Sequence, residues 1–156
     1  MDYQTVISDD LQYLHRWADG LLKKLSPGQR SQLAREIARN LQKSQGSRIA
    51  AQKNPDGSAF AARKHQLRGK KGQIRRQMFR RLRTARYLKA KGDIQSATLS
   101  FVSSVQRIAS VHQFGLRDHV NQYGLEVNYP QRELLGFSAQ DIQKVEELVI
   151  NYLHCS

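Results

Sequence analysis

The sequence predicts a single α+β domain on three observations: amphipathic helical periods near both ends, short alternating segments between them, and no internal repeat or long apolar run. At 156 residues the chain suits one domain with a real core, and its 39% apolar content leaves room for loops outside that core. The expected arrangement is a helical N-terminal half with a long basic loop, a small antiparallel sheet and a C-terminal helix. Residues 1–156 are read as one domain.

The first helix is signalled by Ser8-Asp9-Asp10, a cap with acids in the first turn, followed by Leu11, Leu14, Ala18, Leu21 and Leu25 on one face. Trp17 lies beside that stripe as a core or interface anchor. Ser26-Pro27-Gly28-Gln29 restarts the pattern with a cap, a proline at the first helical position and a capping-box glutamine. Leu33, Ile37 and Leu41 recur behind it. The spacing thus predicts a helical hairpin, or a sharp corner, over 8–44.

Helical periodicity fails from Gln45 to Gly72, and Asn54-Pro55-Asp56-Gly57 inside that stretch is a turn signal: proline fixes φ, and glycine takes conformations that other residues avoid. Residues 45–72 are expected to form a flexible basic loop, with a short strand or turn near Arg48-Ile49. A basic amphipathic helix is expected over 73–91, with Ile74, Met78, Leu82, Ala85 and Leu88 on one face and Gly92 as its stop. Strands and a final helix fill 97–156. Ala97–Ser103 alternates like a strand, Val105–Phe114 fits a short helix ended by Gly115, and Leu125, Val127 and Tyr129 alternate again. Ser138 with Asp141 caps the last helix, whose apolar face is Val145, Leu148, Val149 and Tyr152.

Charge is distributed unevenly. Lys43 to Lys91 holds sixteen bases against one acid, Asp56, for a net +15. The first forty-two residues carry a net +1 and residues 93–156 a net −3. Such a block points to an anionic partner: nucleic acid, a membrane surface or an acidic protein face. Arginines at 75, 76, 80, 83 and 86 without nearby acids repel one another, which an external anion would relieve. Phe60, Phe79 and Tyr87 are the only aromatics in the block, too few for a base-stacking single-strand binder.

Catalytic signals are weak. The five histidines lack metal-ligand spacing, and no nucleophile motif or phosphate-cradling glycine loop is present. An enzymatic reading requires His112, Asp118 and His119 to converge. The single cysteine, Cys155, cannot make an internal disulfide, which suits synthesis in a reducing cytoplasm. Met1-Asp2-Tyr3-Gln4 opens no signal-peptide pattern, and the apolar runs are too short for a membrane span.

Three ordered segments together resemble the phage virion morphogenesis family. The first comprises Leu41–Gln45, Arg48-Ile49, Gln52–Gly57 and Ala62-Arg63-Lys64. The second is Arg107–Leu116 and the third Tyr129–Ser138. Phe60 departs from the pattern, which more often has tryptophan there. The similarity spans roughly residues 25 to 153. It implies a structural virion protein without catalysis or cofactor, made in the host cytoplasm. The implied role is tail completion or termination, capping the head-proximal end of the tail tube so that the tail can join the head. The implied partners are further copies in a ring, commonly a hexamer, the tail tube and sheath, head neck or connector proteins, and DNA in the channel, with no membrane. Asn54, Pro55, Asp56, Gly57, His112, Phe114, Gly115 and Arg132 are the expected family-motif positions. Arg48, Arg63, Lys64, Arg75, Arg76, Arg80, Arg83 and Arg86 are the expected assembly interface. The alternative is a nucleic-acid-binding protein that uses 43–91 as an electrostatic clamp.

Overall fold

Local signals set the helical frame. In the computed structural model, which describes residues 9–63, 77–120 and 122–155, α1 spans Asp9–Leu22 and α2 spans Pro27–Ala50. Ser26 caps α2 as its sequence predicts: its hydroxyl accepts from the Gln29 N–H at 3.3 Å, and the Gln29 amide oxygen accepts from the Ser26 N–H at 2.9 Å. At 24 residues α2 is about 36 Å long and serves as the spine of the domain. α4, Ala139–His154, packs against both α1 and α2 and carries the second capping box, between Ser138 and Asp141. Leu25, Leu33 and Val149 make the buried centre of this three-helix contact, with Trp17, Ile37, Leu148 and Tyr152 around it.

The other face of α2 carries β structure. β1 (Leu88–Gly92) and β2 (Ala97–Phe101) form an antiparallel hairpin in the register Leu88↔Phe101 to Gly92↔Ala97. Its turn is closed by Asp93, whose carboxylate accepts from the N–H groups of Gln95 at 2.7 Å and Ser96 at 2.8 Å. Gln42 of α2 donates to the Leu88 carbonyl at 2.6 Å, fixing the hairpin to the spine. α3, Ser103–Phe114, follows and ends at Gly115, whose φ of +62 is left-handed. β3 (Arg117–His119) and β4 (Glu126–Asn128) form a second small hairpin. A second core cluster, Ile49, Phe60, Leu82, Ala109 and Leu134, joins the end of α2 to α3 and to the segment before α4.

The α+β class stands, with three corrections. The helix expected over 73–91 does not form where it is described: residues 78–87 run through turns and Leu88–Gly92 is β1. Leu82, Ala85 and Leu88 imitate a helical stripe, yet Leu82 and Leu88 are buried while Ala85 is exposed. From Leu88 onward the period is two, with Leu88 and Ala90 inward and Lys89 and Lys91 outward. Pairing with β2 and packing on α2 outweigh a helix that would have set its arginines against one another. The loop expected over 45–72 begins later, because α2 continues through Arg48-Ile49 to Ala50. Beyond it, 52–60 is a fixed turn in which Asn54 donates its N–H to the Ser58 carbonyl at 2.8 Å and Phe60 donates to Gln52 at 2.8 Å. Residues 64–72 of that loop, and 73–76 of the expected helix, lie outside the described residues. Finally, among the described residues the strands pair as two separate two-stranded sheets rather than one.

Gly92 stops no helix; it allows β1 to lie against the spine. A Cβ there would sit 2.3 Å from the Arg35 nitrogen and 2.5 Å from the Ala34 carbonyl carbon, both backbone atoms that cannot step aside. Gly92→Ala should therefore cost about 3 kcal/mol or more in urea unfolding. Gly20→Ala, inside α1 with nothing within 4 Å of the added carbon, should gain about 0.5–1 kcal/mol.

Candidate assembly interface

The motif residues come together at the C-terminal end of α2, and Arg48 is their centre. One terminal nitrogen of its guanidinium donates to the carbonyls of Lys53 and Glu133, both at 2.8 Å. The other donates to the Leu134 carbonyl at 2.8 Å and to the Gln45 amide oxygen at 2.5 Å. Burial pulls the Arg48 pKa down, and the nearby carboxylates of Asp141 and Glu133 act in the opposite direction. Expected at the interface, Arg48 instead commits both terminal nitrogens to internal acceptors, while its Nε is enclosed without a hydrogen-bond partner.

Arg132 repeats the device 3% exposed. Its Nε donates to the Ala61 carbonyl at 2.7 Å and one terminal nitrogen to Ala62 at 3.0 Å. The other terminal nitrogen lies 3.2 Å from Nδ1 of His112. A guanidinium can only donate, so Nδ1 must accept and the neutral imidazole carries its proton on Nε2. Burial first, then the charges of Arg132 and Arg63, hold the His112 pKa down to about 4. Its ring is set edge-on to Phe79 at 4.7 Å and to Tyr129 at 5.1 Å.

Amide side chains complete this framework. The Gln113 amide oxygen accepts from Leu134 at 2.8 Å and Leu135 at 2.9 Å, while its nitrogen donates to the Leu135 carbonyl at 2.8 Å. Asn54 accepts from the Glu133 N–H at 2.9 Å, tying the turn to the same segment before α4. Gln45 and Ser44 both donate to the Asp141 carboxylate, which joins α2 to the cap of α4. Gln52, at a left-handed φ of +58, bonds to Met78 through both side-chain ends, at 2.9 and 3.1 Å. A chain of amides around a buried segment was the available signal, since glutamine at an interior position needs a partner.

The motif positions therefore build a scaffold. Pro55 packs against Gly136, where a Cβ would come within 2.5 Å of its ring. Asp56 accepts from the Ser58 N–H and hydroxyl, and these bonds hold its pKa below the usual carboxylate range. Gly57, at φ +88, closes the turn. A Cβ on Gly115 would lie 3.0 Å from the Gln131 nitrogen, and Phe114 beside it is 51% exposed.

The outward cations are a different set. Arg63, Arg80, Arg81 and Arg86 are exposed, and Arg83 is half-buried with its Nε enclosed. The Arg86 guanidinium lies 5.4 Å from the Tyr87 ring centroid, a cation–π distance. Lys64, Arg75 and Arg76 lie outside the described residues. Arg63, Arg80 and Arg81 gather around one surface groove; Arg81 was missed because a helical wheel for 73–91 had ordered the arginines by the wrong period.

The three residues of the enzymatic reading have separate partners. Asp118 pairs with Arg107, His119 lies 3.7 Å from Glu126, and His112 is taken up by Arg132. Among the described residues no cluster of three His, Cys, Asp or Glu side chains could hold a metal ion, and no helix is long and apolar enough to cross a membrane.

With this geometry in place, similarity to known proteins is informative. Residues 9–154 match the model of the phage virion morphogenesis family. The chain is 41% identical over 136 residues to the tail completion protein S of Escherichia phage P2, a span covering 86% of this chain and 91% of that protein. No solved structure matches it.

The inward and outward arginines should respond differently to substitution. Arg48→Met leaves the carbonyls of Lys53, Glu133 and Leu134 without their donor and should cost about 3 kcal/mol in urea unfolding. Arg80→Ala, on the surface, should stay within about 0.5 kcal/mol. Stability should also fall on acidification. Above pH 6.5 His112 is neutral folded and unfolded; between 6.5 and about 4 only the unfolded chain binds the proton, so stability drops as pH falls through that window. Thermal melts at about pH 7, above that window, and at about pH 5, inside it, should differ less in His112→Gln, which keeps an acceptor for Arg132 but does not titrate.

Proposed function

The chain belongs to the phage virion morphogenesis family, and from that membership we infer that its role is phage tail completion. The observation that carries this is the 41% identity to a tail completion protein, sustained over 86% of the chain. The family match over residues 9–154 spans all three motif segments that converge on Arg48 and Arg132.

In this reading the protein is a structural component of the virion with no catalytic step. It caps the head-proximal end of the tail tube and makes the tail competent to join the head. It works as a closed ring of copies, hexameric in the form proposed, which is compatible with two different faces on one subunit. Exposed Arg63, Arg80, Arg81 and Arg86 support an acidic protein surface as the counterpart, whether tube, sheath or head connector. DNA passing through the channel is a secondary contact.

A nucleic-acid clamp is the second reading, favoured by the +15 block from 43 to 91. Arg48 weakens it, because its guanidinium is occupied internally and unavailable to a phosphate. Two experiments separate these readings. Phage lacking the protein should accumulate heads and tails that do not join, and purified protein should restore joining and be found by immunogold labelling at the head-proximal tail end. Normal joining in its absence would overturn tail completion. Binding to duplex DNA should be weak at physiological salt; tight binding with a steep logarithmic salt slope would favour the clamp.

A further inference from the structure

Between α3 and the turns of 77–87 lies an open groove of about 710 Å³. Phe79, Val105 and Ile108 give it an apolar lining, and Arg63, Arg80 and Arg81 surround that lining with positive charge. The residues joining Arg63 to Gln77 contain six further Lys and Arg and no acid, so positive charge continues along the sequence from both ends.

Two features set this groove apart from a solvated charged face. Ile108, in the middle of α3, is 51% exposed among guanidinium groups, an aliphatic side chain where a purely electrostatic surface needs none. Phe79 holds a left-handed φ of +63, unfavourable for a bulky side chain, with its ring edge-on to Phe60 at 5.8 Å and to His112 at 4.7 Å. Backbone strain of that kind concentrates where a surface is shaped for a ligand.

We propose that this groove docks an acidic segment of another virion protein, with an apolar side chain seated against Ile108 and Phe79 and carboxylates on the arginine rim. The proposal rests on the tail completion reading and adds the chemistry of the partner. Carboxylates match the planar donor fork of arginine, and the apolar anchor supplies the contact that a charged rim alone does not. Nucleic acid fits less well: its phosphates would meet the rim but leave the aliphatic lining of Val105 and Ile108 without a complement.

The test uses the full chain and three fluorescent probes of equal net charge: a short Glu-rich peptide carrying one Leu and one Phe, a polyglutamate peptide, and single-stranded DNA. The Leu/Phe peptide should bind about tenfold more tightly than polyglutamate. Ile108→Ser should abolish that advantage while leaving polyglutamate binding and the melting temperature unchanged, and Arg80→Glu should weaken both peptides. Polyglutamate or DNA binding as tightly as the Leu/Phe peptide would overturn the proposal, as would an Ile108→Ser protein that keeps the advantage. In the head–tail joining assay, Ile108→Ser should reduce joining. Full activity of that variant, with joining still dependent on the protein, overturns the groove and leaves tail completion intact. Joining that needs no protein at all overturns tail completion itself.

Discussion

Four hydrogen bonds from the two terminal nitrogens of the Arg48 guanidinium, whose Nε stays enclosed and unpartnered, organise much of this fold. The carbonyls it reaches belong to the turn after α2 and to the segment before α4, so one side chain sets the distance between three parts of the chain. Gln45 accepts from the same guanidinium and donates to Asp141, which extends the constraint into the cap of α4. Arg132 closes the opposite side by binding Ala61 and Ala62, and its partner His112 stays neutral first because it is buried and then because a second cation there would face the first. Hydrogen bonds to a charged donor in a partly dry setting are stronger than neutral ones, and leaving a member unpaired is costly.

Positive charge in this protein therefore serves two purposes that composition merges. Arg48 and Arg132 are structural, drawn inward by carbonyls and offset by few acids. Arg63, Arg80, Arg81 and Arg86 are directed to solvent. Surface ion pairs elsewhere, such as Arg117 with Glu126 on the β3–β4 hairpin, lie on exposed side chains and add little to stability. Three of the outward set, Arg63, Arg80 and Arg81, line one groove together with Phe79, Val105 and Ile108, so positive charge is paired there with an aliphatic lining.

Much of the local structure was legible. Both capping boxes, at Ser26 and Ser138, the turn at Asn54–Gly57, the strand at 97–101 and the short helix ending at Gly115 all follow from signals a few residues long. Leu14, Ala18, Leu21 and Leu25 of the expected stripe, and Trp17 beside it, are buried or half-buried, as the spacing indicates. β1 was missed because a five-residue strand has too few repeats to outvote a helical spacing that runs into it. The resemblance of three separated segments to one family was also legible, although their convergence was not.

The sequence by itself determined where helices start, where the chain turns, and that a block of positive charge exists; each depends on neighbours within a turn or two. Only the tertiary structure decided which arginines work inside and which outside. Arg48 and Arg80 look alike in sequence, and what separates them is a set of carbonyls, some 85 positions further along the chain, that folding brings to Arg48. The physical reason is that a charged side chain leaves water only where fixed oxygen atoms replace its hydration, and those oxygens belong to distant backbone.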